Sequence, residues 1–217
     1  LAKIQKQTHP YVNWENFSFG LQEEPFNPID VDVEFENDAF LDTLGKEKLS
    51  GIIKKYPDVT VPLQLDITTS VFELGGRPRT RRIALPLNNL EIAIGIKPRF
   101  ENDRVASDSH AVFDVVALNR SGKTITTEGL EYRLLKEHRN YTWFQQSGAW
   151  DYEVFVKDEE IQSGKLTVPN GGLGKLNFLV PWGAYRLEVS NNDTLDMSSY
   201  RFSAGWGGSA SGPDRPD

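Results

Sequence analysis

From Val59 to Ile67 the chain alternates without a break. Val59, Val61, Leu63, Leu65 and Ile67 are apolar, and Thr60, Pro62, Gln64 and Asp66 stand between them. A period of two is the signature of a strand with one buried face. The run continues to Leu74 and meets Gly75-Gly76-Arg77-Pro78, a turn signal, after which Ile83, Leu85 and Leu87 resume the pattern. These features predict a long hairpin. Pro62 has no N–H to donate to a ladder and is expected at an edge or a bulge.

A second series of alternations begins at Ile92, Ile94 and Ile96. It continues through Ala111–Asn119, which ends in the turn Asn119-Arg-Ser-Gly122, then Ile125–Leu135, Tyr141–Gln145 and Trp150–Val156. Leu166–Val168, Leu176–Val180, Tyr185–Val189 and Tyr200–Trp206 complete it. Turns are expected at Asp158-Glu159, Gln162–Gly164, Asn170–Gly172, Trp182-Gly183 and Asn191–Asp193. Roughly eight strands spaced ~8–12 residues apart predict a β-sandwich. The one helical candidate is Ala39–Tyr56, but Gly45 and Gly51 each weaken a helix by ~1 kcal/mol relative to alanine. A turn over Asp42–Lys46 followed by a strand to Ile53 is the preferred reading. The chain is thus expected to be all-β, with two tandem antiparallel β-sandwich domains of fibronectin or immunoglobulin-like type. They are placed at residues 1–88 and 89–210, with the boundary at Pro86–Leu90 and a linker tail over 211–217. The first is expected to be incomplete at its N-terminus if the chain begins inside it.

Composition narrows the function classes. The 217 residues are 38% hydrophobic and 25% charged, which suits a packed core rather than disorder. A net charge of −7 argues against nucleic acid, whose phosphates require a clustered basic surface. The segment Arg77–Arg82 holds four arginines in six residues. It is read as a solvated hairpin edge, where charge opposes edge-to-edge pairing, with an anionic ligand as the alternative. The absence of cysteine excludes a disulfide, a thiolate zinc site and a cysteine nucleophile, without fixing the compartment. No apolar run approaches the ~18 residues of a membrane span. The chain opens on Leu1 with no signal peptide and stops on Gly-Pro-Asp-Arg-Pro-Asp217, so it is expected to be a portion of something longer.

Candidate chemistry is sparse. His9 precedes a proline, His110 is expected in the polar loop Ser107–His110, and His138 is expected in a charged turn of Lys136–Arg139. None follows a nucleophile-elbow pattern. Asp30, Asp32, Glu34 and Glu36 alternate with Ile29, Val31, Val33 and Phe35, which suits the solvated face of an amphipathic strand better than a calcium site. Asn191–Asp196 suits a polar hairpin better than a hard-cation loop. No motif selects two carboxylates for glycoside hydrolysis. Trp143, Trp150, Trp182 and Trp206 lie in or at the end of alternating strands, where core packing is a better reading than a sugar platform. Sequons at Asn16, Asn119, Asn140 and Asn192 are short enough to occur by chance. No catalytic, cofactor-binding or metal-binding residue is therefore assigned, no cofactor is expected, and the chain is not read as an enzyme.

Two stretches carry a resemblance. One is Val61-Pro-Leu-Gln-Leu-Asp-Ile67 running into Val71-Phe-Glu-Leu-Gly-Gly-Arg-Pro-Arg-Thr-Arg81; the other is Gly183–Val189 running into Tyr200-Arg-Phe-Ser-Ala-Gly-Trp206. They resemble adjoining macroglobulin-like domains of bacterial alpha-2-macroglobulins. Trp143, the aromatic strand opening at Trp150-Asp-Tyr152 and the terminal tail fit the same family, and Tyr11–Gly20 resembles the middle of the preceding domain. The resemblance implies sandwiches strung in series within a large trap, periplasmic or otherwise extracytoplasmic, with a lipid anchor to the inner membrane as one option, that captures proteases after they cleave a bait segment. The implied partners are neighbouring domains of the same polypeptide, with target proteases met only through the whole protein and the chain itself a monomer. The family's thioester motif, Cys-x-Glu-Gln, has no counterpart here, and no long accessible tract reads as bait. The implied role is scaffold ahead of the bait. A carbohydrate- or cell-surface-binding sandwich, or an accessory domain of an enzyme, is the competing reading.

Overall fold

The computed structural model describes residues 1–8, 10–31, 41–47, 53, 57–72, 75–87, 89–146, 149–192, 194 and 196–205. Among them there is no helix, and the strands run in three sheets.

The first sheet is built from β1 (Ala2–Lys6), β3 (Ile29–Val31), β4 (Leu63–Val71) and β5 (Arg79–Leu87), in the order β3-β1-β4-β5. The hairpin expected around Gly75–Pro78 is present, with Val71 opposite Arg79 and Leu63 opposite Leu87. The alternation has its predicted meaning here: Leu63 and Leu65 are buried with Ala2, Ile4 and Val61 in one cluster. Pro62 lies just before β4, neither in an edge strand nor in a bulge. Its free carbonyl accepts from the amide of Gln7 at 2.9 Å, so the missing N–H leaves no gap in the ladder. The arginine-rich β5 is the edge strand, as the solvated-edge reading requires, with Arg82 reaching across to the Asp66 carboxylate at 2.5 Å. The turn expected at Asp42–Lys46 is also found: the Asp42 side chain accepts from the amides of Leu44 and Lys46, both at 2.8 Å. The strand expected after that turn lies largely outside the described residues.

The second half is a two-layer sandwich. One layer orders β10 (Ala149–Val168), β9 (Thr127–Gln146), β12 (Gly183–Ser190), β13 (Met197–Ala204) and β7 (Arg104–Val105). The other orders β11 (Gly174–Val180), β8 (Ser109–Leu118), β6 (Ala93–Pro98) and β2 (Ser18–Phe19). All pairings are antiparallel except the short β7–β13 contact. Phe113, Phe178, Tyr185 and Phe202 fill the space between the layers, with Tyr185 stacked on Phe202 at a centroid distance of 5.4 Å.

Three turn expectations fail together. Lys136–Arg139 is the middle of β9, and Asp158-Glu159 and Gln162–Gly164 are inside β10. The predicted strands Ile125–Leu135, Tyr141–Gln145 and Trp150–Val156 merge into one hairpin of two 20-residue strands. Residues 156–163 of the edge strand β10 are exposed on both faces, so charge there does not break it. Lys136 and Glu137 of β9 are held by pairing with β10 on one side and β12 on the other. The β9–β10 pairing carries two register shifts, between Glu160 and Gln162 and between Leu166 and Val168, and neither ends the strand. By contrast, Asn119–Gly122 turns as predicted, closed by the Gly122 amide on the Asn119 carbonyl at 2.9 Å with Gly122 at φ 73°.

Candidate functional site

The most heavily constructed place in the molecule is the seam between its halves. β2 belongs to the first half by sequence and to the second by pairing, Ser18 lying opposite Ile96 and Phe19 opposite Gly95 in β6. The reason lies in β8. Its residues 111, 113, 115 and 117 face the sandwich interior, so Val116 and Leu118 point the other way, yet both are fully buried. They are covered by Tyr11, Trp14, Phe17 and Phe19, which pack on Leu90, Ala93, Val116 and Leu118 as a separate apolar cluster. Gly95 leaves room for this: a Cβ there would sit 2.7 Å from Cε1 of Phe19.

Past β2 the chain crosses to the other layer and runs along β13, on the side that β7 leaves unpaired. The Gly20 amide donates to Ser198 Oγ at 2.8 Å, and the Ser199 amide returns a bond to the Gly20 carbonyl at 3.1 Å. Two further bonds follow, from the Gln22 amide to Ser199 Oγ at 3.1 Å and from the Arg201 amide to Gln22 Oε1 at 2.8 Å. The same segment is tied to the approach to β4, since the Leu21 amide donates to Thr60 Oγ1 at 2.9 Å and Thr60 donates twice to Glu24 Oε2. The connection over 89–92 is pinned at both ends. Asn89 donates to the Val61 carbonyl and accepts from the Leu63 amide, while the Ile92 amide donates to Asp196 Oδ2 at 2.8 Å.

Beside the seam, on the outer face of the five-stranded layer, lies a charge network. Glu137 accepts from Arg186 Nη1 at 2.6 Å and Arg201 Nε at 2.7 Å, and Arg201 also pairs with Glu23. Arg186 extends the network to Glu188 at 2.9 Å and Asp158 at 2.5 Å. Burial pushes the Arg186 pKa down, but its bonds to Asp158 and Glu188 outweigh this and hold it above the usual value. Arg201 is lowered by burial.

Among the described residues, those singled out in the sequence are not assembled into a reactive centre. His110 stands in β8, not in the expected loop, with Nδ1 2.7 Å from Asn177 Oδ1. His138 lies in β9 with Nε2 2.7 Å from Glu159 Oε2, and His9 is outside the described residues. Asp30 pairs with Lys3 at 3.2 Å; Asp32, Glu34 and Glu36 are not described. Asp196 is a cap for Ile92 and Thr194 within the β12–β13 connection, as the polar-hairpin reading has it. No group of three His, Asp or Glu that could hold a metal occurs among the described residues. Trp182 departs from the core expectation: it is 68% exposed and packs over Gly205. The side chains of Trp143, Trp150 and Trp206 are not described.

The seam itself was not anticipated from sequence, although a signal for it existed. Val115-Val-Ala-Leu118 is a continuous apolar run, the mark of a strand buried on both faces. Something outside the sandwich had to cover Val116 and Leu118, and the aromatic segment Tyr11–Phe19 was available.

Comparison with known proteins is consistent across sequence and structure. Residues 2–88 match the family model described as Bacterial Alpha-2-macroglobulin MG5 domain, and residues 95–206 match that of Bacterial macroglobulin domain 6. The alpha-2-macroglobulin of Escherichia coli K12 is 32% identical over 196 residues, covering 82% of this chain and 12% of that protein. The native conformation of E. coli alpha-2-macroglobulin superposes with a TM-score of 0.70 at 27% identity, over 100% of this chain and 14% of that one. The E. coli protein activated by porcine elastase gives 0.68 at 27% identity, over 95% and 18%. The chain spans about a tenth of the length of the curated relatives it matches.

Proposed function

Since the chain belongs to the bacterial alpha-2-macroglobulin family, spanning its fifth and sixth macroglobulin domains, we propose that it is a structural segment of a broad-spectrum endopeptidase inhibitor that traps proteases. In this reading it carries neither bait nor thioester, is not an enzyme, and acts only within the full polypeptide, in the periplasm. Its partners are the neighbouring domains, and it meets proteases through them.

The observation that carries the reading is the seam. A trap that works by rearranging packed domains needs parts that stay rigid while others move. Here one segment, residues 18–22, pairs with both layers of the second half, and the stretch Leu21–Glu24 is bonded to Thr60, three residues before β4 in the first. Such a joint transmits displacement instead of absorbing it. The lack of cysteine removes the thioester chemistry of the family from this segment.

Incubating the 217-residue chain with several endopeptidases tests the proposal. The expected result is neither inhibition nor covalent adducts. Stoichiometric inhibition by this chain alone would overturn it. The exposed Trp182 is the one described feature that favours a carbohydrate-binding module. A saturable tryptophan-fluorescence change with a glycan would move the assignment there.

A further inference from the structure

Among the described strands, β5 pairs with β4 alone and closes one edge of the first sheet. Which of its backbone groups stay open follows from the far side of β4. Thr68 exchanges both backbone hydrogen bonds with Leu1, its amide donating at 2.8 Å and its carbonyl accepting at 3.0 Å. Backbone groups of successive strand residues point to opposite sides, so even-numbered residues of β4 face β1 and odd-numbered ones face β5. Ile67 lies opposite Ile83, and the odd-numbered residues of β5 therefore bond to β4. Thr80, Arg82 and Ala84 turn their N–H and C=O groups outward. Pro86 is next on that side, and its missing N–H ends the row.

The side chains along this edge fall into two blocks. Ile83 and Leu85 stand opposite Ile67 and Leu65, on the face that buries Leu65 in the core of the first sheet. They are nevertheless 52% and 45% exposed, because the sheet ends at β5. Arg79 and Arg81 continue the same face and are also exposed. Among the described residues neither has a hydrogen-bond or ion-pair partner, whereas Arg82 on the opposite face is held by Asp66 at 2.5 Å. Arginine alone is enough to keep two such edges apart. Half-exposed apolar groups beside unpaired cations, in a chain of net charge −7, offer a surface with a complement of definite chemistry.

We propose that β5 is a docking edge for an extended acidic segment of a separate protein, which adds antiparallel to residues 79–85 as a further strand of the first sheet. Backbone bonds to Thr80, Arg82 and Ala84 hold such a strand, and its alternate side chains select it. Opposite Leu85, Ile83, Arg81 and Arg79 it presents two apolar residues and then two carboxylates. These are non-hydrogen-bonded pairs, in which opposed side chains come closest. The antiparallel direction continues the pairing of every other strand in this sheet. The β5 of a second copy is a poorer occupant, because it would set four unpaired arginines on one face of the joined sheet. The proposal goes beyond the trap reading and does not depend on it.

The probe is a seven-residue peptide of valine, threonine, valine, threonine, glutamate, threonine and glutamate, in that order. At about 1 mM with the full-length polypeptide, it is expected to slow hydrogen exchange at the Thr80, Arg82 and Ala84 amides roughly tenfold, which corresponds to a Kd of ~0.1 mM. The Ile83 and Leu85 amides, already bonded to β4, report that the hairpin is intact. Replacing both Arg79→Glu and Arg81→Glu is expected to abolish the slowing with those two amides unchanged. A peptide with lysine in place of glutamate should then restore it. No slowing by the glutamate peptide would overturn the proposal, as would equal slowing by the lysine peptide on the unsubstituted protein. Slow exchange at the three amides before any peptide is added would also overturn it, since another domain or a second copy would already cover the edge. None of these outcomes bears on the inhibition test above.

Discussion

The backbone amide of Gly20 donates a 2.8 Å hydrogen bond to the hydroxyl of Ser198, a residue 178 positions further along the chain. Ser198 in turn donates to the Ile94 carbonyl at 2.5 Å, so one buried hydroxyl links the crossing segment, β13 and β6. Ser198→Ala removes both bonds at once and leaves a buried N–H and a buried carbonyl unmatched. Each such orphan costs ~1–3 kcal/mol, so a destabilisation of about 2 kcal/mol or more is expected in guanidinium denaturation. A change below ~0.5 kcal/mol, the size of an ordinary surface substitution, would show that the link carries no load.

Phe19 and Gly95 form a fitted pair. A methyl at Gly95 would meet Phe19 Cε1 at 2.7 Å and Val116 Cγ1 at 2.9 Å. Gly95→Ala is expected to destabilise by ~1–3 kcal/mol through overpacking, and Phe19→Ala by ~3–5 kcal/mol through loss of a packed ring. In the double variant the methyl enters space that the ring has vacated. The two losses should then fall short of adding by about 1 kcal/mol. Strict additivity in denaturant titrations would mean that β2 does not seat on β6 in solution.

The strands that alternate cleanly were legible in sequence because one face of each meets a core and the other meets water. β4 and β11 are of this kind, and the turn at Asn119–Gly122 was legible too, whereas β5 alternates in sequence yet leaves Ile83 and Leu85 exposed. What sequence did not yield has two physical causes. Lys136–Arg139 and Asp158–Gly164 look like turns because charge and small polar residues cluster there. Yet Asp158–Gly164 sits in the exposed edge strand β10, where solvation lets charge persist. Lys136 and Glu137 sit in β9 between β10 and β12, where Glu137 is neutralised by Arg186 and Arg201. The seam was hidden for the opposite reason. Tyr11–Phe19 buries its aromatics against a partner more than seventy residues away, and nothing local to either segment records that distance. The joint could not be read from residue types alone.

Glu137 is the hub of the outer charge network, with a side chain only 5% exposed between Arg186 and Arg201. Its removal takes one partner from each of two guanidinium groups, leaving Arg186 with Glu188 and Asp158 and Arg201 with Glu23, whereas removal of Arg201 leaves Glu137 still bonded to Arg186. Glu137→Ala is therefore expected to cost about 2–3 kcal/mol and Arg201→Ala distinctly less, about 1 kcal/mol. Arg201 also reaches Glu23, so its loss should loosen the crossing segment first. Faster exchange at the Gln22 amide than at the β12 amides in Arg201→Ala checks this. The reverse order of stability losses would place the hub at Arg201 instead.

Tyr11 makes the seam sensitive to alkali. Its ring packs on Phe19 at a centroid distance of 4.8 Å, and burial, with the Asp196 carboxylate as a lesser cause, pushes its phenol up to about 12. In the unfolded chain the same phenol titrates at about 10. Between those values the folded state keeps a proton that the unfolded state gives up, so unfolding is increasingly favoured as pH rises. The stabilisation from the raised pKa is full below pH ~10 and is lost as pH passes through the folded value. Tyr200 is displaced in the same direction, by burial and then by its bond to Asp103, and Tyr185 by burial. Those two contribute equally to the wild type and to Tyr11→Phe, so the difference between the two proteins isolates Tyr11. Denaturation midpoints should fall less steeply above pH ~10 in Tyr11→Phe than in the wild type, with no difference in slope below pH ~9. Parallel curves across the whole range would mean that the Tyr11 hydroxyl is solvated and that the aromatic cover over Leu118 is open.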